Sequence, residues 1–233
     1  MEKSIKFLPL FFIGLWGLLS WGFYRTYLSF FPSFKDFEWI QHLHGMAMMS
    51  WVVLLIVQPF LIQKGRTELH KKIGKLSYII APLVVISMYT ITAFSYHKAL
   101  KIMPVPAAIG GLALNVPNVF SFAALYALAI WYKKNSSFHM RYMIATSLLL
   151  IGPGLGRGLI IYFNVPFELA VSITYWVTTA ISVLFLGADL VKRKPWQPYT
   201  VVLIIILINQ VCWESRATDW WHAFGSWWAN TFF

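Results

Sequence analysis

A few side chains capable of binding a ligand lie inside segments that are otherwise apolar. His44 and Gln58 belong to a set of residues spaced by three and four in the stretch 44–61, so they share one helical face. Arg157 lies in a second apolar segment, within the sequence GPGLGRG (152–158). Polar groups in apolar segments of this length are costly to bury and usually face protein, water or a ligand. These three residues are therefore candidates for a ligand site.

The segment around Arg157 is predicted to kink or break. Pro153 removes one helical hydrogen bond, and the four glycines of 152–158 loosen the rest of the helix. A broken helix beside a cation can hold an anionic or carbonyl-bearing ligand in a cavity lined by protein. Two alternatives involve no ligand: Arg157 extends to the membrane surface, or it pairs with Glu168 and joins two neighbouring helices.

Histidines near predicted helix ends form the second group of candidates. A neutral imidazole binds a transition metal or haem iron, or it makes a structural hydrogen bond. For b-type haem, the predicted axial pairs are His70 with His139 and His44 with His97, because each pair lies at similar depth on separate helices. A non-haem metal is expected instead at a larger group near the second pair: His42, His44, His97, Glu214 and His222.

Composition indicates that lipid is the solvent of this chain. Of its 233 residues, 59% are hydrophobic and 12% charged, whereas soluble domains average about 25% charged. The net charge of +11 would suit a nucleic-acid-binding protein, but the basic residues fall in short clusters between apolar runs. That distribution is typical of cytoplasmic membrane loops and argues against nucleic acid as a partner. The single cysteine, Cys212, excludes an intrachain disulfide.

Seven apolar runs have the length of about 20 residues that a bilayer core requires. They cover residues 7–24, 40–62, 73–95, 115–132, 140–162, 168–190 and 198–214. The first run follows the basic segment MEKSIK without an A-x-A-like cleavage site, so it is predicted to be a retained span. Residues 96–114 are predicted to form the longest loop, and 215–233 an aromatic tail in the membrane interface.

The loop charges predict the orientation of these spans. With the N-terminus inside, thirteen Lys and Arg residues, among them Lys3 and Lys6, fall on the cytoplasmic side and five on the other, with Arg157 left uncounted within its span. The predicted fold class is therefore all-α: a polytopic membrane protein with one seven-helix domain over 1–233. Its N-terminus lies inside, its C-terminus outside, and its location is the bacterial cytoplasmic (inner) membrane.

Two stretches together resemble a family of predicted bacterial integral membrane proteins that carries only a domain-of-unknown-function label. The first contains His44, Gln58, Arg66, Leu69-His70, Gly74 and Tyr78, and the second His139, Arg141, Met143 and Arg157. Lys71 stands where that family tends to have Arg, and Tyr142 where it tends to have Trp. The resemblance covers about a quarter of the chain. It implies an integral membrane protein and no established activity.

The sequence leaves three functional readings open. One is a membrane protein whose buried polar site, formed by Arg157, His44, Gln58 and Glu168, binds or moves a small molecule or lipid. The second is a redox protein that holds b-type haem or a metal, since the chain is more weakly similar to transmembrane cytochromes b of the ferric-reductase kind. It differs from those cytochromes in having seven spans and no four-histidine layout. The third is an accessory protein whose aromatic tail docks a partner. No HExxH, GxSxG or P-loop motif marks an enzyme.

Overall fold

The computed structural model describes residues 7–233, and within that range the secondary structure is helical, without strands. Ten α-helices are joined by connections of two to five residues, except for residues 25–38 between the first two, which contain a 3₁₀ turn at Leu28–Phe30. Their bounds are α1 Leu8–Tyr24, α2 Trp39–Gln63, α3 Thr67–Gly74, α4 Ser77–Ala99, α5 Val105–Trp131, α6 Ser136–Leu148, α7 Ile151–Phe163, α8 Phe167–Val191, α9 Gln197–Glu214 and α10 Asp219–Phe232.

Six helical segments are long and apolar enough to cross a bilayer. They are α2, α3 with α4, α5, α6 with α7, α8 and α9. The helix α1 is also apolar but shorter, at 17 residues. The prediction of an all-helical, multi-pass membrane protein is thereby confirmed, and the bilayer is its surrounding medium. The basic segment 1–6, with Lys3 and Lys6, lies outside the described residues.

The predicted loop at 96–114 is wrong. Helix α4 continues to Ala99 and α5 begins at Val105, so the connection is only residues 100–104. Pro104 is the N-cap of α5 and Pro106 lies in its first turn, where the missing proline N–H leaves no helical hydrogen bond unmade. Prolines that suggest a loop in the sequence therefore start a helix of 27 residues.

The predicted break in the fifth span is present. Helix α6 ends at Leu148 and α7 starts at Ile151, just before Pro153. Pro153 has no N–H to donate to the Leu149 carbonyl, and its ring clashes with that carbonyl. The regular helix is therefore interrupted at Leu149–Leu150. The hydrogen bond from Leu150 N–H to the Ser147 carbonyl, 3.1 Å, closes this turn.

The segment formed by α6 and α7 is the most buried of these long segments. In its most apolar stretch of 18 residues, 56% of the stretch is buried, against 28–39% in the corresponding stretches of the other five long segments. Helix α6 packs on α5, α9 and α2, while α7 continues outward to lie between α1 and α8. Helices α1, α2, α4, α5, α9, α8 and α7 contact one another in that order and form a ring around α6.

The glycines around Arg157 are packing residues. A Cβ on Gly154 would lie 3.2 Å from the Leu18 carbonyl oxygen of α1, and one on Gly158 would overlap the ring of Trp21. Gly152 and Gly156, on another face, lie against Thr174 of α8. Small residues spaced by four let membrane helices approach closely. The sequence interpretation of these glycines as loosening residues missed this role.

The aromatic tail folds back along the bundle. The Trp221 indole N–H of α10 donates to the Ile109 carbonyl at 3.1 Å, and the Trp228 ring lies 5.5 Å from that of Phe120. Those two α5 residues are separated by eleven positions, about 16 Å of helix. Helix α10 therefore packs along α5, so the predicted aromatic tail is a helix in contact with the bundle. Trp220 and Trp227 remain exposed.

Candidate functional site

A partly open cavity of about 700 Å³ lies where α1, α2, α3, α4, α5 and α6 meet. It is found at the basic end of the bundle, which we define by the lysine-bearing turns 64–66, 132–135 and 192–196. Much of its wall is apolar, with Leu8, Phe12, Leu54, Leu55, Pro59, Ile62, Ile130, Met140, Met143 and Ile144. The polar part of the wall includes Gln58, His70, Lys71, Lys75, Ser77, Tyr78, Lys133, Ser136, Ser137 and His139.

The cavity is lined by residues from both stretches that carry the family resemblance described above, although these stretches are far apart in the chain. Gln58, His70, Gly74, Tyr78, His139 and Met143 all line it. Helix α3 is short and precedes the span proper, so its turn into α4 brings His70 back over Gln58. His70 and His139, which were predicted as an axial pair for haem, therefore line the same cavity.

Gln58 ties α2 to α3 through the backbone. Its amide group faces the His70 carbonyl oxygen on one side and the Gly74 N–H on the other. A carbonyl only accepts and an N–H only donates, so the orientation of the amide is determined. The Gln58 NH₂ donates to the His70 carbonyl at 3.2 Å, and its oxygen accepts from Gly74 N–H at 3.1 Å. The same NH₂ also donates to Nδ1 of the His70 ring.

The two imidazoles have opposite hydrogen-bonding roles. Because His70 Nδ1 accepts from Gln58, the neutral ring carries its proton on Nε2. His139 Nδ1 lies 2.8 Å from the Ala129 carbonyl oxygen and must donate to it, which leaves a lone pair on Nε2. Both rings line the same cavity. With both rings neutral, the cavity has one imidazole donor and one imidazole acceptor, and protonation of His139 turns its Nε2 into a second donor.

Cations and hydroxyls complete the polar side of the cavity. Lys133 Nζ lies 3.3 Å from the Tyr78 hydroxyl, and Tyr126 donates to Ser77 at 3.0 Å. Lys75 is exposed, as is Lys71, which pairs with Glu68 at 2.8 Å. Ser136 and Ser137 belong to the first turn of α6, where the helix dipole is positive. The electrostatic character of the site favours an anion.

Arg157 and His44 lie together at the opposite end of the bundle. Ser87 Oγ donates to the Val84 carbonyl at 2.8 Å, so it accepts from His44 Nδ1 at 3.2 Å and leaves a lone pair on His44 Nε2. The Arg157 guanidinium lies 4.2 Å above the centre of the Phe23 ring. Among residues 7–233, Arg157 has no hydrogen bond or ion pair.

Other groupings predicted from the sequence do not form. Gln58 is fourteen residues from His44 on α2, about 21 Å along the axis, and belongs to the basic end. Glu168 is exposed in the first turn of α8 and makes no pair with Arg157. His97 contacts the Phe233 oxygen at 3.2 Å, while His44 contacts α4 ten residues earlier. The predicted haem pair of His44 and His97 is therefore not assembled.

The residues predicted to hold a non-haem metal also fail to form a site. They are His42, His44, His97, Glu214 and His222. In the part of the chain that the structure describes, no three His, Cys, Asp or Glu side chains come together as metal ligands. His42 is held by Tyr27, whose hydroxyl contacts its Nδ1. Burial raises the pKa of Tyr27, so the phenol stays protonated and is the donor of that bond.

The sequence interpretation missed a buried ion pair on α6. Arg141 donates from Nε and Nη2 to the two carboxylate oxygens of Asp189, at 2.5 and 2.9 Å, and also to the Ser137 carbonyl at 3.0 Å. Arg141 is only 1% exposed. An Asp near the end of an apolar span, here Asp189 in the span predicted at 168–190, is the signal that could have paired them.

Comparisons of the chain with protein-family models, with curated proteins and with solved structures found no match.

Proposed function

We propose that this protein crosses the bacterial cytoplasmic membrane seven times, with the basic end in the cytoplasm. The support is that α1, although short, has the minimum length of about 17 residues for a span and packs along α7. The lysine-bearing turns of the basic end then follow the positive-inside rule. A reporter that needs the periplasm should be active when fused after Phe233, and cytoplasmic activity at that position would contradict the topology.

The main function that we propose is the binding of an amphiphilic small molecule or lipid with an anionic head group at the basic end. One observation supports it above the others: a single cavity of about 700 Å³ combines a long apolar wall with His70, His139 and three lysines. Ligand sites in proteins have this size and this mixture of apolar wall and few polar groups. The apolar wall suits an acyl or prenyl chain, and the polar side suits the head group.

Lipid binding to the purified protein tests this function. Native mass spectrometry should detect anionic phospholipid that stays bound when zwitterionic lipid of the same chain length has dissociated. The His139→Leu variant should lose that retention, because it removes an imidazole from the polar, head-group side of the cavity. His97→Leu is the matched control, since His97 is an exposed histidine at the opposite end. Equal retention of both lipid types by the unaltered protein would contradict the proposal.

A b-type haem remains a second candidate because His139 has the geometry of an axial ligand. Its Nδ1–H is held by a carbonyl, and its Nε2 lone pair is free of protein partners in the described part of the chain. His70 does not fit in the same way, since its proton is on Nε2 while Gln58 binds Nδ1. An absorption spectrum decides. A Soret band that shifts on reduction and is lost in His139→Ala would favour haem, and a colourless, folded preparation would exclude it.

Arg157 and His44 form the polar site that we propose for the outer half of the bundle. The guanidinium is a donor without an acceptor among residues 7–233, and His44 Nε2 is an acceptor beside it. An anionic or carbonyl-bearing ligand fits this arrangement. A ligand that moves across the membrane would meet this site at one end and the cavity at the other.

A further inference from the structure

Arg157 is an exposed side chain on the side of α7 that faces the interior of the helix ring. Gly154 and Gly158 of α7 lie against α1, and Arg157 covers the Phe23 ring, which belongs to the same helix. Phe23 follows the buried Leu19 by four residues, so it continues the face of α1 that packs into the core. Because Arg157 is nevertheless exposed, the ring has an opening beside it.

The interruption at Leu149–Leu150 explains this opening. At the basic end α6 lies inside the ring, whereas α7 is itself a member of the ring. Among the helices of residues 7–233, none continues the line of α6 through the centre, since α10 packs on α5. The outer half of the ring therefore has room for a ligand at the level of Arg157 and His44.

Trp51 lies midway between this outer site and the cavity at the basic end. It comes seven residues after His44 and seven before Gln58, which is about 10 Å from each along the axis. These spacings place all three residues on one face of α2. The cavity begins one turn beyond Trp51, because Leu54 and Leu55 line it. A single layer of side chains at Trp51 thus separates the two sites.

This layer is closed by one hydrogen bond and two ring contacts. The Trp51 indole N–H donates to Thr146 Oγ1 of α6 at 3.2 Å, and its ring meets those of Phe122 and Tyr126 edge-on, with centroids 5.2 and 5.5 Å apart. Trp51 and Thr146 are both 0% exposed. Thr146 donates in turn to the carbonyl of Met143, which lines the cavity, at 2.7 Å. The layer is therefore the roof of the cavity.

The acceptor of the Trp51 hydrogen bond lies next to a hinge. Thr146 is three residues before the interruption at Leu149–Leu150, so the end of α6 can shift without distorting a continuous helix. Interrupted helices next to a central binding site are the parts that rearrange in many membrane transporters. A shift at this point separates Thr146 from Trp51 and joins the outer opening to the cavity.

We propose that Trp51 is the gate of a route along which an anionic amphiphile moves between the Arg157 and His44 site and the cavity at the basic end. The proposal rests on the proposed function, because it uses the same class of ligand and both of its sites. Cationic side chains stand on each side of the gate, Arg157 on one and the three cavity lysines on the other. An anionic head group is therefore attracted to both ends of the route.

Movement of a fluorescent lipid between the two leaflets tests the route. The purified full chain is reconstituted into phosphatidylcholine vesicles that contain chain-labelled phosphatidylglycerol or chain-labelled phosphatidylcholine. A reductant that does not cross the membrane then bleaches the label in the outer leaflet. Labelled phosphatidylglycerol should cross faster than it does in protein-free vesicles, and faster than labelled phosphatidylcholine does with the protein present.

Two variants test the gate. Trp51→Phe keeps an aromatic ring but removes the N–H, and Thr146→Val keeps the shape but removes the acceptor. Each should speed the crossing of phosphatidylglycerol about five-fold, the factor that one ordinary hydrogen bond makes in a rate. The double variant should be no faster than either single one. Ser121→Ala is the matched control, because it removes a buried hydrogen bond to Asn209 between α5 and α9, at 2.9 Å, and should leave the rate unchanged.

The possible outcomes separate this proposal from the proposed function. Crossing no faster than in protein-free vesicles, with anionic lipid still retained in native mass spectrometry, would overturn the route and leave lipid binding in place. Loss of that retention would overturn both. Equal crossing of the two labelled lipids would overturn a route through the cationic sites. Variants at Trp51 and Thr146 no faster than Ser121→Ala would overturn the gate. The comparison of the two lipids uses the unaltered protein, so it remains decisive if a variant fails to fold.

Discussion

Two arginines on the same span have opposite surroundings. Arg141, on the inner half α6, is 1% exposed and donates to both oxygens of Asp189. Arg157, sixteen residues later on α7, is exposed, lies over the Phe23 ring and meets no acidic side chain among residues 7–233. Both are ionisable groups within one apolar segment, and the sequence analysis singled out only Arg157 as a candidate site residue.

The difference separates a structural charge from one that is available to a ligand. A buried arginine with a bidentate carboxylate has its donors occupied, so its role is to hold α6 against α8. A guanidinium with only an aromatic partner keeps its donors for another molecule. The break at Leu149–Leu150 produces this contrast, because it directs α7 out of the bundle centre and between α1 and α8.

The largest effect is expected when the ion pair is broken on one side. Asp189→Leu leaves the Arg141 charge buried without its carboxylate, and such changes cost about 3–5 kcal/mol. Thermal unfolding of the detergent-purified variant should show a loss of most folded protein. The double variant Arg141→Leu with Asp189→Leu should recover much of the stability, and a single variant as stable as the unaltered protein would remove the structural role assigned to Arg141.

A smaller loss is expected when α7 is pushed away from α1. In Gly158→Leu the new side chain would overlap the Trp21 ring, and overpacking of this kind costs about 1–3 kcal/mol. The melting temperature should fall and Phe23 should no longer lie beneath Arg157. Gly17→Leu is the matched control, because a Cβ at Gly17 meets no atom within 4 Å. Equal destabilisation by both variants would show that the effect is one of glycine replacement and not of this contact.

Arg157→Gln should change stability by less than about 1 kcal/mol, the size of an exposed cation–π contact. Ligand binding at the outer site should nevertheless be lost, since glutamine keeps donors but not the charge. Arg157→Lys should bind weakly as well if the ligand is held bidentately. Melting temperature and anionic-lipid retention, measured on the same samples in a His139→Leu background in which the basic-end cavity no longer retains lipid, separate the two effects. Destabilisation as large as that of Asp189→Leu would place Arg157 with Arg141 as a structural residue.

The smallest effect is expected at Glu168. This side chain is exposed and forms no pair with Arg157, so Glu168→Gln should change the free energy of unfolding by no more than about 0.5 kcal/mol. Chemical denaturation of the purified variant measures it. A loss of more than 1.5 kcal/mol, roughly the scale of a lost charged hydrogen bond, would restore the predicted ion pair between the two helices.

Helix existence was predictable, whereas several helix ends were not. The span predicted at 40–62 corresponds to α2 at Trp39–Gln63, because a long apolar run excludes other structures in lipid. The prediction of a loop at 96–114 was wrong, because Pro104 and Pro106 indicate the start of a helix as readily as a loop. The candidate histidines were found from their type alone, but not their tautomers, which depend on Gln58 and the Ala129 carbonyl.

The sequence by itself determined that this chain is a helical multi-pass membrane protein, since hydropathy and charge clustering act along the chain and need no partner. Tertiary structure alone decided which polar residues share a site. Gln58 lies on the same predicted face as His44, yet its partner is His70, because α3 folds back over the end of α2. Helical periodicity gives the direction in which a side chain points. What it meets there depends on helix packing, and that depends on contacts such as Gly158 against Trp21, which no local pattern specifies.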